Sequence, residues 1–410
     1  MTNREALYRM ILSHPADDTL RLISADALEE EGDERRAAVI RSQVELASLP
    51  PSDPRRLRAR YSGTDAVDPE WLAGLSLPTG ITWAEPAFRR GFPAAIRAED
   101  VRVFVTHAEE LFSQFPIEAL ELEVARLGES AAFAACPGSR QLRRLAILQG
   151  VSGPSARRLL ALPATAQLRE LHIGAGLTTA ATAHAIVGSP PFTQLTHLTY
   201  RDGRTAGELV AALTRLADPP QLITLDLAGN RLTTEQLTRL LAAPILATVD
   251  ELDLSDDLGG GAITALASTR LPHLHCLHLN RTRPGLDGVR SLVEASFFPE
   301  LRCLALGGNH LPDSAARLLA NHPGDCQLLV LELSENRLGD LGVTALANSP
   351  QLRQLLALDL RANAITDAGA FALAESPVLH ELLHLDLSGN PISAVGQDRL
   401  RERFGEHLIL

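Results

Sequence analysis

The chain has 410 residues, 38 basic and 50 acidic, giving a formal net charge of −12, with 45% hydrophobic and 21% charged residues. It is too apolar to be disordered and too long to be a disulfide-stapled mini-domain. Every basic residue is arginine, which excludes Schiff-base chemistry, a lysine general base and the P-loop lysine, and the acidic balance argues against nucleic acid as a partner.

The N-terminus, MTNREALYRMILSHPADD, lacks a basic segment followed by a long apolar run, so no secretory signal is expected. No stretch reaches the roughly 18 uninterrupted apolar residues of a membrane helix. Four cysteines, Cys136, Cys276, Cys303 and Cys326, do not make a disulfide framework. The expected setting is reduced and cytoplasmic. Residues 2–13, 19–31 and 34–48 read as three short helices broken at His14-Pro15 and Gly32-Asp33, a helical domain over 1–49. Residues 50–91 read as a linker with one Arg-rich helical turn, followed by a cap for what comes next.

From there one string recurs: L-x-L/I-x-x-N/G, a loop, then a helical stretch. Clear copies are LDLAGN at Leu225, LALGGN at Leu304, LELSEN at Leu331, LDLRAN at Leu358 and LDLSGN at Leu385. Degenerate copies start at Leu120, Leu145, Leu171, Leu198, Leu252 and Leu277, at intervals of 25 to 27 residues, and a weaker copy surrounds Ala95. Such a period with this signature marks a leucine-rich-repeat solenoid. The two leucines of each triplet point to one side of a short strand and the residue between them to the other. Asn230, Asn309, Asn336, Asn363 and Asn390 sit where the chain leaves the strand, placed to bond the turns of adjacent coils as a structural ladder, with Gly150, Gly176 and Gly203 in that place earlier. In LGDLGVTALANSP, Asp340 reads as the helix N-cap, with Val343, Leu346 and Ala347 as the apolar stripe.

The expected fold class is therefore α/β: about 12 units over 92–390 forming a right-handed horseshoe, parallel sheet on the concave face and helices on the convex face. The small helical domain precedes it and a C-terminal cap over 391–410 closes it. The repeats resemble the ribonuclease-inhibitor-like class. The first 49 residues resemble a small bacterial domain that accompanies such repeats, through Asp17-Asp18-Thr19, Arg21-Leu22-Ile23, Ala25-Asp26, Leu28-Glu29-Glu30, Gly32-Asp33, Ile40-Arg41 and Gln43. Trp71-Leu72 and Arg90-Gly91-Phe92 look like that family's bridging segment, while Ser24 and Ala27 replace its more usual aromatics.

With the first leucine as position 1, positions 0, 2 and 4 face outward on the concave wall. Position 2 carries Asp226, Asp253, His278, Glu332, Asp359 and Asp386; Arg361 stands at position 4 and His384 at position 0. These residues are the expected partner-binding face. A row of like charges favours a protein partner with a basic exposed strip. The irregular loops after three strands contribute Arg201, Arg204, Arg281 and Arg283 as an expected basic rim. Cys276, Cys303 and His278 are a weak metal candidate, lacking a fourth ligand; Cys276 and Cys303 also have the spacing of a disulfide. No HExxH, CxxC, GxSxG or Walker string occurs. The reading is a non-catalytic protein-interaction scaffold without cofactor, nucleic-acid or membrane contact. The alternative is a regulator of a small GTPase, by fold-level analogy to Ran GTPase-activating proteins, which a phosphate-release assay would distinguish.

Overall fold

The computed structural model describes residues 3–124, 130–149, 151–174, 176, 179–201, 206–256, 258, 260–322 and 324–410. Gly150, Gly203 and Arg204 lie outside the described residues. The chain divides into two compact units, residues 1–50 with 63–222, and residues 51–62 with 223–410.

The first unit opens with three helices, α1 (Asn3–Ser13), α2 (Asp18–Glu30) and α3 (Glu34–Ala47). Asp17 caps α2 by accepting from Thr19 N at 2.9 Å, and Asp33 caps α3 by accepting from Arg36 N at 3.2 Å. Eight strands follow: β1 (Ile81–Trp83), β2 (Phe88–Arg89), β3 (Phe92–Pro93), β4 (Ala95–Asp100), β5 (Ala119–Val124), β6 (Arg144–Gln149), β7 (Glu170–Ile173) and β8 (His197–Tyr200). β1 pairs antiparallel with β4, β2 and β3 form a hairpin, and β4 to β8 run parallel in chain order. The register stacks Ile96 on Leu120, then Leu145, Leu171 and Leu198. The weak repeat around Ala95 thus begins at Ile96.

The helices meet the repeats through the residues that carry the accompanying-domain resemblance. Arg21 is fully buried, and its Nη2 donates to Glu118 Oε1 at 2.8 Å and to Pro15 O at 2.9 Å. Arg90 also pairs with Glu118, and with Asp18 at 2.7 Å. Gly91 has φ +83° and donates its N–H to Gln43 Oε1 at 2.8 Å; a Cβ there would lie 2.4 Å from Ile40 Cγ1. Only glycine admits both that conformation and that approach.

The second unit is parallel throughout: β9 (Thr224–Asp226), β10 (Glu251–Asp253), β11 (Cys276–His278), β12 (Cys303–Ala305), β13 (Val330–Glu332), β14 (Ala357–Asp359), β15 (His384–Asp386) and β16 (Leu408–Ile409). The leucines at 225, 252, 277, 304, 331, 358, 385 and 408 are all register partners of the next. The near-constant period therefore lays leucine on leucine, and each coil buries its neighbour's apolar face. The polar terminal helix is Ala394–Phe404, and β16 beyond it adds a further strand.

Two ladders tie the coils. Asn336 Nδ2 donates to Leu306 O at 2.9 Å and Leu333 O at 3.0 Å, while its Oδ1 accepts from Asn309 N and Leu311 N at 3.1 and 2.9 Å. Asn363 and Asn390 repeat the pattern, and Asn309 and Asn230 share parts of it. The second ladder was not expected. Asp340 is the first helical residue and the N-cap is Gly339, because the Asp340 carboxylate serves the next coil instead. It accepts from Thr366 N at 2.8 Å, Thr366 Oγ1 at 2.6 Å and Gly369 N at 2.9 Å, and Asp367 does the same for Ser393. Asp313, one coil earlier, accepts from Gly339 N at 2.6 Å. Each carboxylate thereby satisfies orphan donors at the next helix N-terminus.

Each turn after β9 to β15 places its fifth position in the left-handed region: Gly229, Asp256, Arg281, Gly308, Glu335, Ala362 and Gly389, with φ between 52° and 75°. A side chain there costs about 1 kcal/mol. Ala362 is exposed, so Ala362→Gly should raise stability by about 0.5–1 kcal/mol, read as a higher urea midpoint. A lowered midpoint would remove strain from this account.

Candidate interaction wall of the second unit

The strand wall of the second unit is covered along position 0 by its own chain. A nine-residue helix, α4 (Pro54–Ser62), lies against position 0, its Leu57 in one apolar cluster with Cys276, Cys303, Val330 and Ala357, and Tyr61 packed beside them. The Tyr61 ring centroid is 5.6 Å from that of His384, and burial raises the Tyr61 hydroxyl pKa to about 12. One end of the segment is anchored where Ser52 Oγ donates to Asp250 Oδ1 at 2.6 Å, and Asp250 also meets His275 Nδ1 at 2.8 Å. Serine, carboxylate and imidazole are adjacent, but the serine proton already faces the carboxylate. This is a latch rather than a nucleophile–base pair. Along the helix, Arg58 pairs with Glu381 at 3.1 Å. His384 is thus beneath the strap, while Arg361 at position 4 is exposed.

Glu332, Asp359 and Asp386 are register partners on β13 to β15, and each is half-buried. Their strands are about 4.8 Å apart. Asp359 Oδ1 accepts from Arg361 N at 2.9 Å, and Asp386 Oδ1 from Ser388 N at 2.9 Å and Ser388 Oγ at 2.6 Å. Among the described residues these three carboxylates form no ion pair. Asp226 is buried and its Oδ1 accepts from Ala228 N; Asp253 likewise accepts from Ser255 N, so both brace their own turns. His278 Nε2 lies 3.2 Å from Glu251 Oε1. Burial alone would lower its pKa, but Glu251, Asp253 and Glu332 raise it to about 9. The acidic row therefore begins beside an imidazolium.

The wall of the first unit is built differently. Glu121 is held by Arg97 at 2.9 Å and Arg144 at 3.3 Å, and Glu170 by Arg89 at 2.5 Å. Burial works against the Glu170 carboxylate, yet Arg89 and its neighbours hold its pKa below the usual range. His172 is pushed down to about 4 by burial and by Arg144 and Arg201. Here the acids are already neutralised by arginines of the same unit.

The rim residues fall in both units. Arg201 is exposed in the first; in the second, Arg281 Nε bonds Asp256 Oδ1 at 2.5 Å, and Arg283 is exposed with its backbone N–H held by Asn309 Oδ1 at 2.7 Å. Arg361 Nη2 lies 3.6 Å from Glu335 Oε1. Of the expected rim, Arg281 is thus balanced locally, as is Arg361 of the expected wall.

Cys276 and Cys303 are register partners, buried and unlinked, and belong to one apolar cluster. His278 turns to Glu251, away from sharing a ligand set with them. Among the described residues no group of three or more His, Cys, Asp or Glu side chains is placed to hold a metal ion, and no helix is long and apolar enough to cross a membrane. The strap was the feature missed from sequence. Its signal is Leu57 and Tyr61, four residues apart on one side of an otherwise arginine-rich nine-residue helix.

Residues 325–347, 351–374 and 379–396 match a family model described as Leucine Rich repeat. No curated protein matches the chain. Among solved structures, a chain in the crystal structure of the Rad7 and Elc1 complex in yeast is similar at 12% identity, with a TM-score of 0.45, over 100% of this chain and 92% of that one. With the matched segments, the period and the in-register leucine stack identify this as a leucine-rich-repeat protein of α/β class.

Proposed function

We propose that this chain is a non-catalytic scaffold that binds another protein on the strand wall of its second unit, through the strip Glu332, Asp359 and Asp386 with Arg361 at its edge. The observation that carries this reading is the contrast between the two walls. In the first unit, wall acids such as Glu121 and Glu170 are satisfied by arginines. In the second, three in-register carboxylates form no ion pair among the described residues, although the His278 imidazolium acts on Glu332 at one end of the row. Unneutralised charge in a row on a rigid support repels itself and is relieved by a basic strip from outside. The partner is accordingly a protein with exposed arginine or lysine at strand-like spacing. Association should be fast at low salt and weaken as the Debye length shrinks.

The test is capture from native extract on the immobilised full chain. Reversal of all three acids, Glu332→Arg, Asp359→Arg and Asp386→Arg, should abolish retention of partners that bind the parent chain, with the circular dichroism spectrum unchanged. Undiminished retention would take the strip out of the interface.

A further inference from the structure

The pair Cys276 and Cys303 plays no part in the reading above. The two residues occupy position 0 on adjacent parallel strands, in register, with their side chains on the same side of the sheet. Register partners on neighbouring strands have Cα atoms about 4.8 Å apart, within the 4.4–6.8 Å span that a disulfide bridges, roughly speaking. Both thiols are free, both residues are buried, and the two belong to one apolar cluster. What covers them is Leu57 of α4, with Tyr61 beside it. The cover comes from a distant part of the chain and is held by identifiable contacts: Ser52 on Asp250, Arg58 on Glu381, and the apolar side chains themselves. A helix of this length is marginal by itself, so whatever loosens those contacts uncovers the pair.

We propose that Cys276 and Cys303 form a masked dithiol, a redox modification site that closes to a cross-strand disulfide when α4 lifts from the wall. The oxidant is a small disulfide such as oxidised glutathione. One cysteine, as thiolate, attacks a sulfur of that disulfide and expels one glutathione thiolate, leaving a mixed disulfide. The second cysteine gives up its proton and displaces the other glutathione. Two protein thiols are oxidised, and one small disulfide is reduced to two thiols. While α4 is seated, the neighbouring Cys303 and burial push the Cys276 thiol pKa up, which disfavours the reactive thiolate.

The full chain is incubated with oxidised glutathione, quenched with an alkylating agent and mapped by peptide mass. Leu57→Ala should form the Cys276–Cys303 linkage about thirtyfold faster than the parent, the change in open population that trimming a buried leucine gives. Ser52→Ala loosens the anchor without touching the apolar cover; it should fall between the two, and carries the test if Leu57→Ala does not fold. In Cys276→Ser, Cys303 should instead keep a glutathione adduct. Cys136 and Cys326, also buried and free, report global unfolding. The proposal fails if the folded strap variants and the parent react at one rate, if both cysteines take glutathione without linking, or if all four cysteines react together.

Discussion

Asn336→Ala should lower the stability of the second unit by about 3 kcal/mol, a large loss for an uncharged substitution. The amide makes five bonds to two coils, accepting from the N–H groups of Asn309 and Leu311 and donating to the carbonyls of Leu306, Leu333 and Ser334. It is 8% exposed, so an alanine would leave five backbone groups with little water to replace it. Each orphan costs roughly 1–3 kcal/mol in full, and partial hydration reduces the sum. Asn336→Asp should be little better: a carboxylate can still accept from the two N–H groups but turns acceptors toward three carbonyls. Urea unfolding gives the loss. Hydrogen exchange at the Asn309 and Leu311 amides should accelerate before exchange in the flanking helices. A cost below about 1 kcal/mol would mean that stacked leucines, rather than the amide ladder, hold these turns.

Arg21→Ala is expected to free the N-terminal helices from the first repeats at a cost of about 3–5 kcal/mol, the usual range for breaking a buried ion pair by removing one partner. Arg21 is fully buried, and burial pushes its pKa down to about 10 despite the pull of Glu118. Its guanidinium also donates to Arg90 O at 3.2 Å and stands 5.2 Å from the Phe92 ring centroid. Alanine would leave Glu118, 5% exposed, with Arg90 as its remaining partner, and a void above Phe92. Arg21→Met fills the volume without the charge and should recover part of the loss. Hydrogen exchange across α1 to α3 is the measurement, since a chain of two units need not unfold in one step. Unchanged protection in both variants would show that apolar contacts such as Ile40 and Phe92 hold the helices without Arg21.

Much of the architecture is legible because a repeat states its own register. Once Leu225, Leu252 and Leu277 are seen to recur, parallel stacking follows, since only an in-register stack buries every leucine at once. The Asn ladder is legible for the same reason: the amide falls at one place in each turn. The aspartate ladder was written just as regularly, at Asp313, Asp340 and Asp367, but an aspartate at a helix start reads first as a local cap. Its true partners are in the next coil, where Gly342, Gly369 and Gly396 leave room for it.

The candidate site was legible only in part. Alternation placed Glu332, Asp359 and Asp386 on the outward side, because strand geometry alone decides that. It could not say that Arg97, Arg144 and Arg89 would neutralise the acids of the first wall, or that Asp226 would be buried in its own turn. Those outcomes depend on side chains from different coils meeting in space.

By itself, then, the order of residues determined the repeat, its strand–helix alternation and the side of the wall each residue faces, because these follow from interactions that recur at a fixed distance along the chain. The tertiary structure alone decided that α4 covers position 0, that Cys276 and Cys303 lie beneath Leu57, and which acids are held in ion pairs. A short amphipathic segment carries no address. Where it docks is set by which distant apolar surface it can shield from water, and that surface exists only once the coils have stacked.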